Sequence, residues 1–224
     1  MGLSTIILAA GQGTRMRSDL PKVLQPLAGR PLLAHVLDCA EALAADDICV
    51  VYGHGGETVR NAFPDRAVRW VVQAQQLGTG HAVQQAMPGT ADDHRVLVLF
   101  GDVPLLTAAT CRRLIEATPA DNVAVLTVDM EDPTGYGRII RDGDTVDRIV
   151  EDKDASPDEK RVCEINTGVL LCPAGKLKRW LDNLGNDNAQ GEYYLTDVIG
   201  MAVDEGIAVQ GVKARTWTEV MGIN

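Results

Sequence analysis

The residues most able to do chemistry follow the first apolar segment of the chain. Residues 5–10 read T-I-I-L-A-A, and a glycine loop, G-Q-G-T at residues 11–14, comes directly after them. Glycine has no Cβ, so its backbone can turn sharply and bring N–H groups close to a ligand. Arg15, Arg17 and Lys22 follow at once. Backbone N–H groups with cations nearby are suited to binding a polyphosphate.

Two other kinds of glycine loop fit these residues less well. The dinucleotide-binding fingerprint requires a third glycine, and Met16 occupies that position. It also requires an acid at the end of the second strand, but the apolar segment at residues 48–52 runs into Gly53. The phosphate-binding loop of P-loop proteins has no match here. Taken alone, G-x-G is also compatible with an ordinary strand-to-helix turn that has incidental cations beside it.

Composition limits the class of protein. The chain has 224 residues, of which 46% are hydrophobic, 23% charged and 4% aromatic, and its net charge is −10. This length suits one large α/β domain with an aliphatic core. The negative charge argues against nucleic acid as a partner, because phosphate backbones select basic surfaces. A phosphorylated substrate must therefore be bound by a local group of cations and backbone amides.

The cysteines and the apolar segments indicate a reduced protein outside the membrane. The five cysteines are Cys39, Cys49, Cys111, Cys163 and Cys172, and no pair has C-x-x-C spacing. We expect free, mostly buried thiols rather than a zinc or redox motif. No apolar segment approaches transmembrane length, and the first one lacks the basic flank of a signal peptide. We therefore expect a cytoplasmic protein without a membrane partner.

Helix and strand patterns alternate along most of the chain. The helical patterns are at residues 31–44, 55–62, 80–87, 106–117, 176–184 and 194–204. The strand patterns are at residues 5–10, 48–52, 68–72, 95–100, 123–128 and 162–171, with a hairpin at 136–141 and 145–150. This alternation predicts an α/β fold, a mostly parallel twisted sheet with helices on both faces. Ligands of such sheets bind at the carboxyl ends of the strands.

Seven segments carry a resemblance to a known family. The string L-A-A-G-Q-G-T-R-M at residues 8–16, followed by P-K at 21–22, resembles the signature of the sugar-1-phosphate nucleotidyltransferases. The other six are V-Y-G-H-G-G at 51–56, Q-A-Q-Q-L-G-T-G-H-A at 73–82, L-F-G-D-V-P-L-L at 99–106, D-P-T-G-Y-G-R-I at 132–139, E-I-N-T-G-V at 164–169 and N-A-Q-G-E-Y-Y-L-T-D at 188–197. Together they resemble the uridyltransferase domain of the bifunctional N-acetylglucosamine-1-phosphate uridyltransferase/glucosamine-1-phosphate acetyltransferase family.

The resemblance implies a Rossmann-like nucleotidyltransferase fold with a smaller sugar-binding lobe, and it implies a reaction. UTP and N-acetylglucosamine 1-phosphate would give UDP-N-acetylglucosamine and pyrophosphate with Mg²⁺, for cell-wall and lipopolysaccharide precursors. Two rivals stay open. One is another nucleotidyltransferase, such as a cytidylyltransferase of isoprenoid synthesis or a thymidylyltransferase for glucose 1-phosphate. The other is a catalytically silent homologue that binds a nucleotide sugar.

The resemblance also assigns the site residues. Arg15 would bind the β,γ-phosphates, and Lys22 the α-phosphate and the sugar phosphate. Uracil would bind at Gln73 and Gly78, and the amides of Gln73 and Gln76 are able to pair with a base edge. Thr79, Gly137, Glu151 and Asn166 would bind the sugar. Further substrate-binding residues are Leu8, Ala9, Ala10, Gly11, Gly13, Phe100, Gly101, Asp102 and Asn224.

Asp102 and Asn224 are the metal ligands that the resemblance implies. Asp102 follows the apolar residues 96–100, and Asn224 ends the string G-I-N at 222–224. A carboxylate facing a phosphate loop suits Mg²⁺, which takes one or two protein oxygens plus substrate phosphates. A helix-capping Asp is the alternative for Asp102.

One nucleotidyltransferase domain with two lobes is expected over residues 1–224. The family's C-terminal acetyltransferase domain is a β-helix of hexapeptide turns, and no such six-residue repeat is present. The resemblance implies a homotrimer for the full-length protein of the family. For this chain, which lacks the trimerising domain, we expect a monomer.

Overall fold

A nine-stranded sheet forms the centre of the part of the chain that the computed structural model describes, residues 2–11, 18, 20–53 and 56–223. A two-stranded ribbon accompanies it. The strands are β1 (Leu3–Ala9), β2 (Pro26–Leu27), β3 (Arg30–Pro31), β4 (Asp47–Gly53), β5 (Arg69–Gln73), β6 (Arg95–Phe100), β7 (Val123–Asp129), β8 (Arg138–Asp142), β9 (Thr145–Val150), β10 (Glu164–Pro173) and β11 (Val209–Lys213). The helices are α1 (Leu32–Ala42), α2 (Glu57–Asn61), α3 (Thr79–Ala86), α4 (Ala108–Ala117), α5 (Ala174–Leu181) and α6 (Asp197–Asp204).

The strand order of the large sheet is β5-β4-β1-β6-β10-β7-β11-β9-β8. The first four strands are parallel to one another, and β11 is parallel to β7. Strand β10 is antiparallel to both β6 and β7, and β9 is antiparallel to β11 and β8. Within the described sheet, therefore, only β9 and β10 run against the other strands. The predicted mostly parallel α/β fold is confirmed.

Helices cover both faces because the parallel strands are apolar on both faces. Ile6 and Ile7 are successive residues of β1, both 0% exposed, and they point into different hydrophobic clusters. The cluster around Ile7 includes buried residues of α1, α2 and α4. The cluster around Ile6 includes buried residues of α3, α5 and α6. Burial on both faces makes β1 a rigid support for the loop that follows it.

The predicted elements all have counterparts among the described residues, with shifted ends. Helix α6 begins at Asp197 rather than at residue 194, and α2 begins at Glu57. Gly55, the predicted start of α2, lies outside the described residues. Strand β11 was not predicted, because V-Q-G-V-K is short and contains a glycine, which weakens a strand. Pairing with β7 along its whole length supports it.

Two further predictions concern the cysteines and membrane-spanning segments. Cys39, Cys49, Cys111 and Cys172 are buried, Cys163 is exposed, and all five thiols are free, as expected. None of the described helices combines the length and the hydrophobicity needed to cross a bilayer.

Candidate active site

Parallel pairing of β1 with β6 brings the end of β1 beside the segment that carries Asp102. Leu8 is opposite Phe100 in the register, and the Gly101 N–H donates to the Leu8 carbonyl oxygen at 2.9 Å. Ala10 and Gly11 therefore leave the sheet next to Asp102. Residues 12–17 lie outside the described part of the chain, so the assignments of Gly13 and Arg15 stay predictions.

Lys22 and Asp102 form an ion pair at this edge of the sheet. Lys22 begins a short 3₁₀ helix, Lys22–Leu24, and its Nζ donates to Asp102 Oδ2 at 2.5 Å. The two side chains are 12% and 24% exposed. A partly desolvated pair of this kind has a stronger electrostatic interaction than a surface pair. The structure thus brings together two residues that are 80 positions apart in the sequence.

The C-terminal segment returns to Asp102. The Ile223 N–H donates to the Asp102 carbonyl oxygen at 2.9 Å. A Cβ added to Gly222 would lie 3.6 Å from Asp102 Oδ2, so this segment passes close to the carboxylate. Asn224 lies outside the described residues. Ile223, the residue before it, is hydrogen-bonded to Asp102, the other predicted metal ligand.

The donor set around Asp102 fits a magnesium ion better than a metal that needs several protein ligands. No group of three or more His, Cys, Asp or Glu side chains that could hold a metal occurs in the described ranges. Mg²⁺ is commonly held by one or two carboxylates and by substrate phosphates. Asp102, a partly exposed carboxylate at the carboxyl end of β6, meets that requirement.

The loop after β5 contains the predicted base-binding residues. Gln73, 3% exposed, ends this strand, and its Nε2 lies 3.0 Å from the Gly78 carbonyl oxygen and 3.0 Å from His81 Nδ1. The Nε2 of Gln76 donates to the Ala10 carbonyl oxygen. This second contact joins the predicted base-binding loop to the start of the predicted phosphate loop.

Gly78 allows this loop to approach the backbone of Tyr193 closely. The Tyr193 N–H donates to the Leu77 carbonyl oxygen at 2.8 Å, and the Gly80 N–H donates to the Tyr193 carbonyl oxygen at 2.8 Å. Gly78 has a φ of +112°, and an added Cβ would lie 2.6 Å from the Tyr193 carbonyl oxygen. Both the conformation and the close approach require glycine.

Gly78→Ala is expected to destabilise the protein and to weaken nucleotide binding. With a φ of +112° and a ψ of 174°, Gly78 occupies a region essentially restricted to glycine, which costs another residue about 1–3 kcal/mol, and the clash with a backbone atom adds to that. Gly143→Ala is the matched control, because Gly143 has a φ of +59° with nothing within 4 Å of its added Cβ. Thermal unfolding and the KM for UTP measure the difference. Equal loss of stability in the two variants, with an unchanged KM, would contradict this account of the loop.

A cavity of about 230 Å³ is lined in part by Phe100, the last residue of β6. Five residues predicted to bind substrate line it: Phe100, Thr79, Gly137, Glu151 and Asn166. An irregularity in β10 between residues 166 and 170 helps to shape the wall. Gly168 in that irregularity has a φ of +86°, and an added Cβ would overlap the Phe100 ring. The predicted sugar-binding residues are therefore neighbours in space.

Glu151 is the acidic group of this cavity. Thr196 Oγ1 donates to Glu151 Oε1 at 3.0 Å. Burial raises the pKa of Glu151, and the Asp197, Asp154 and Asp152 carboxylates add to the rise, while the Thr196 hydrogen bond acts against it. Sequence reasoning missed Thr196. The only available signal was its place in the string Y-Y-L-T-D, to which no individual role had been assigned.

Asn166 is held by the backbone around it. Its N–H donates to the Gly137 carbonyl oxygen at 2.8 Å, and its Oδ1 accepts from the Gly168 N–H at 2.9 Å. Thr79, the first residue of α3, contacts the segment before α6, since its Oγ1 accepts from the Leu195 N–H at 3.1 Å. The cavity thus has a carboxylate at Glu151, an amide at Asn166 and several hydroxyl-bearing residues around a partly apolar space.

Comparisons with known proteins agree with this geometry. Two curated relatives, both named "Bifunctional protein GlmU", come from Aromatoleum aromaticum and Azoarcus sp. (strain BH72). Each is 58% identical over 223 residues, which cover 99% of this chain and 49% of the relative. The chain therefore spans about half the length of these relatives. The structure of UDP-glucose pyrophosphorylase complexed with UDP-glucose superposes with a TM-score of 0.75 at 16% identity, over 99% of this chain and 94% of that one, which shows a shared fold.

A family model matches more than half of the chain. The model of the MobA-like NTP transferase domain matches residues 5–158. These residues include the loop after β1, the Lys22–Asp102 pair, the loop after β5 and Glu151. The chain belongs to the family of MobA-like NTP transferase domains.

Proposed function

We propose that this chain transfers a uridylyl group from UTP to N-acetylglucosamine 1-phosphate and releases pyrophosphate. The observation that carries the proposal is that the cavity and the Lys22–Asp102 pair lie next to each other at the end of β6. Phe100 lines the cavity, and Asp102, two residues later, pairs with Lys22. A sugar bound in the cavity can therefore direct its phosphate toward the cationic group at Lys22. The 58% identity to relatives named GlmU supports the choice of this reaction among nucleotidyl transfers.

The chemistry is a displacement at the α-phosphorus of UTP. A phosphate oxygen of the sugar 1-phosphate forms a bond to that phosphorus, and the bond to the bridging oxygen of pyrophosphate breaks. Pyrophosphate leaves with the electron pair. The attacking oxygen is already anionic, so no general base is needed, and catalysis consists of alignment and charge neutralisation. Lys22 supplies a fixed positive charge among the described residues, and Arg15 is proposed to supply a second one.

Asp102 and Asn224 are proposed to hold Mg²⁺, which would neutralise phosphate charge. The Lys22–Asp102 pair keeps both side chains in position before substrate binds. Nucleotide binding is assigned to Leu8, Ala9, Ala10, Gly11, Gly13, Gln73, Gln76, Gly78 and Gly101, and Phe100 is placed between the nucleotide and the sugar. The backbone of the loop after β1 faces the phosphates in this assignment, and the loop after β5 faces the base.

The cavity is proposed to bind the sugar. Its volume of about 230 Å³ is below the range of about 300–1,000 Å³ for pockets that hold drug-sized ligands, so it suits a single sugar ring. Glu151 can accept hydrogen bonds from hydroxyls, and Asn166 can both donate and accept, as an acetamide requires. Gly137 and Thr79 complete the assignment. We expect the reaction to take place in the cytoplasm and to supply cell-wall and lipopolysaccharide precursors.

Glu151→Gln is expected to stabilise the protein at neutral pH while weakening sugar binding. Because the pKa of Glu151 is raised, the folded state binds more protons than the unfolded state just above the ordinary pKa of Glu. Stability is therefore lost as the pH rises through that window, and a neutral amide avoids this loss. The unfolding temperature of the variant should exceed that of the wild type at pH 7, by about 2–4 °C per kcal/mol gained, and the difference should vanish in acid.

Glu159→Gln is the control with the opposite sign. Hydrogen bonds from Ser156 and an ion pair with Arg148 lower the pKa of Glu159, so its ionised form stabilises the fold above the ordinary pKa of Glu. This variant should lose stability at pH 7 and keep its KM for the sugar phosphate. If Glu151→Gln also loses stability at pH 7, or keeps its KM, the description of Glu151 is wrong.

Pyrophosphate release tests the proposed function. The assay combines UTP, CTP, dTTP or ATP with several sugar 1-phosphates, including N-acetylglucosamine 1-phosphate. UTP with N-acetylglucosamine 1-phosphate should give the highest kcat/KM. A preference for CTP or dTTP would indicate another nucleotidyltransferase. Binding of nucleotide sugar with no pyrophosphate from any pair would indicate a catalytically silent homologue.

A further inference from the structure

Arg138, the first residue of β8, is a buried cation beside the cavity. Its side chain is 2% exposed, and its guanidinium bridges two loops. Nη1 donates to the Tyr136 carbonyl oxygen in the loop before β8, and Nη2 donates to Asp152 Oδ1 at 2.9 Å in the loop after β9. Arg138 does not itself line the cavity, so any effect on a ligand there must pass through these loops.

The two bridged loops carry cavity residues. Tyr136 precedes Gly137, and Asp152 follows Glu151. A Cβ added to Gly137 would lie 3.4 Å from both carboxylate oxygens of Glu151, so the loops are in close contact at the cavity. The Arg138 bridge is thus one residue away from each side of this contact.

The backbone of Arg138 reaches the amide residue of the cavity as well. Arg138 is opposite Ile165 of β10 in the register, one residue before Asn166. The Asn166 N–H donates to the Gly137 carbonyl oxygen at 2.8 Å. Arg138 is therefore at the point where the segments that carry Gly137 and Asn166 meet.

The stability of the fold does not by itself require an arginine at this position. Removing a charge from water is costly, and replacing a buried ion pair by neutral residues of similar volume often costs a protein no stability. The Nε of Arg138 is also buried with no hydrogen-bond partner among the described residues, which adds to the cost. The bridge between the two loops is what a neutral side chain would not provide.

We propose that Arg138 positions the sugar-binding residues by holding the loop after β9 against the loop before β8. With the bridge in place, the Glu151 carboxylate is fixed beside Gly137 before a sugar binds, so less ordering is needed on binding. Arg138 acts through Asp152 and does not contact the sugar. This inference rests on the proposed function of the cavity as the sugar site.

Arg138→Met combined with Asp152→Asn removes the bridge without leaving a charge unpaired. The double variant should unfold at a temperature close to that of the wild type. Its KM for N-acetylglucosamine 1-phosphate should rise about tenfold, the equivalent of one hydrogen bond of the usual strength, while its KM for UTP stays unchanged. Asp152→Asn alone should keep both KM values, because the Asn Oδ1 still accepts from Arg138 Nη2. Initial rates of pyrophosphate release measure these constants.

Arg141→Met combined with Glu164→Gln is the matched control. Arg141 is on the same strand as Arg138 and forms a partly buried ion pair with Glu164 of β10, at 2.6 Å. Neither residue lines the cavity. This variant loses a comparable ion pair and should keep its KM for both substrates.

Dissociation constants give a second readout without turnover. Calorimetry compares the binding of UDP-N-acetylglucosamine with that of UDP, and the ratio of the two constants measures what the sugar contributes. This ratio should fall in the Arg138→Met/Asp152→Asn variant by the same factor as the KM rises. If the wild type releases no pyrophosphate, the proposed reaction fails, and the binding ratio alone decides the role of Arg138. If the wild type binds both ligands equally well, the cavity is not a sugar site and the inference fails with it.

A purely structural role for Arg138 would give different results. An unchanged KM for the sugar phosphate in the folded double variant would overturn the proposal, and so would equal rises in KM for both substrates. Failure of Asp152→Asn to keep the KM would also overturn it. A double variant that does not fold would show that the fold itself needs the pair, which contradicts the positioning role.

Discussion

Lys22→Ala should lower the rate of uridylyl transfer by about 10²–10³-fold, the usual loss when one preorganised charge donor is removed. Lys22 is held by Asp102 at 2.5 Å with 12% of its side chain exposed, so its charge is in place before the reaction begins. The reaction brings two anions together, and the missing charge raises the barrier directly. Initial rates of pyrophosphate release at saturating substrates measure the effect on kcat.

Lys213→Ala is the matched control for this variant. Lys213 also pairs with an aspartate, Asp129, but the two side chains are 51% and 60% exposed, and neither lines the cavity. Such a surface pair contributes little, so this variant should keep its rate. Circular dichroism should show that both variants are folded. Near-normal turnover in Lys22→Ala would remove Lys22 from the mechanism.

Asp102→Ala should abolish activity at every Mg²⁺ concentration. Lys22 pairs with the Asp102 carboxylate, and the Ile223 N–H of the C-terminal segment donates to the Asp102 backbone carbonyl oxygen. Without it the proposed metal loses its anionic protein ligand, and water cannot anchor a divalent ion in one place. Lys22 also loses the partner that positions it. The measurement is the rate as a function of Mg²⁺, with Asp129→Ala as the control.

Two results would contradict the assignment of Asp102. One is recovery of the Asp102→Ala rate when Mg²⁺ is raised, because it would mean that other groups hold the metal. The other is full activity of the wild type in EDTA, which would exclude a required divalent ion. The Lys22→Ala and Asp102→Ala losses should not add in the double variant, because the two side chains form one unit.

The sequence predicted the strands and the residues at their ends better than the contacts between distant segments. The apolar residues of β1 and β6 are strong signals, since strands buried on both faces are rich in Val, Ile and Leu. Parallel neighbours end at the same edge, which is why Asp102 could be expected near the loop that follows β1. The resemblance to the nucleotidyltransferases added Gly137, Glu151 and Asn166, which line one cavity.

Contacts across the fold could not be predicted from local patterns. Thr196 donates a hydrogen bond to Glu151, and the Tyr193 backbone forms hydrogen bonds with the residues on both sides of Gly78. Each contact joins segments that are far apart in sequence, so no periodicity or spacing indicates it. His81 and Gln73 are only eight residues apart, but nothing in the sequence indicates that their side chains meet. Strand β11 formed against expectation because an available edge of β7 outweighed a weak strand sequence.

The fate of the individual phosphates of UTP tests the central claim most directly. UTP labelled with ³²P at the α-position, and separately at the γ-position, is incubated with the protein, N-acetylglucosamine 1-phosphate and Mg²⁺. The account predicts that the α-label appears in UDP-N-acetylglucosamine and the γ-label in pyrophosphate. Transfer of the γ-label to the sugar phosphate, or its release as orthophosphate with the α-label left in UDP, would show attack at a different phosphorus and contradict the account.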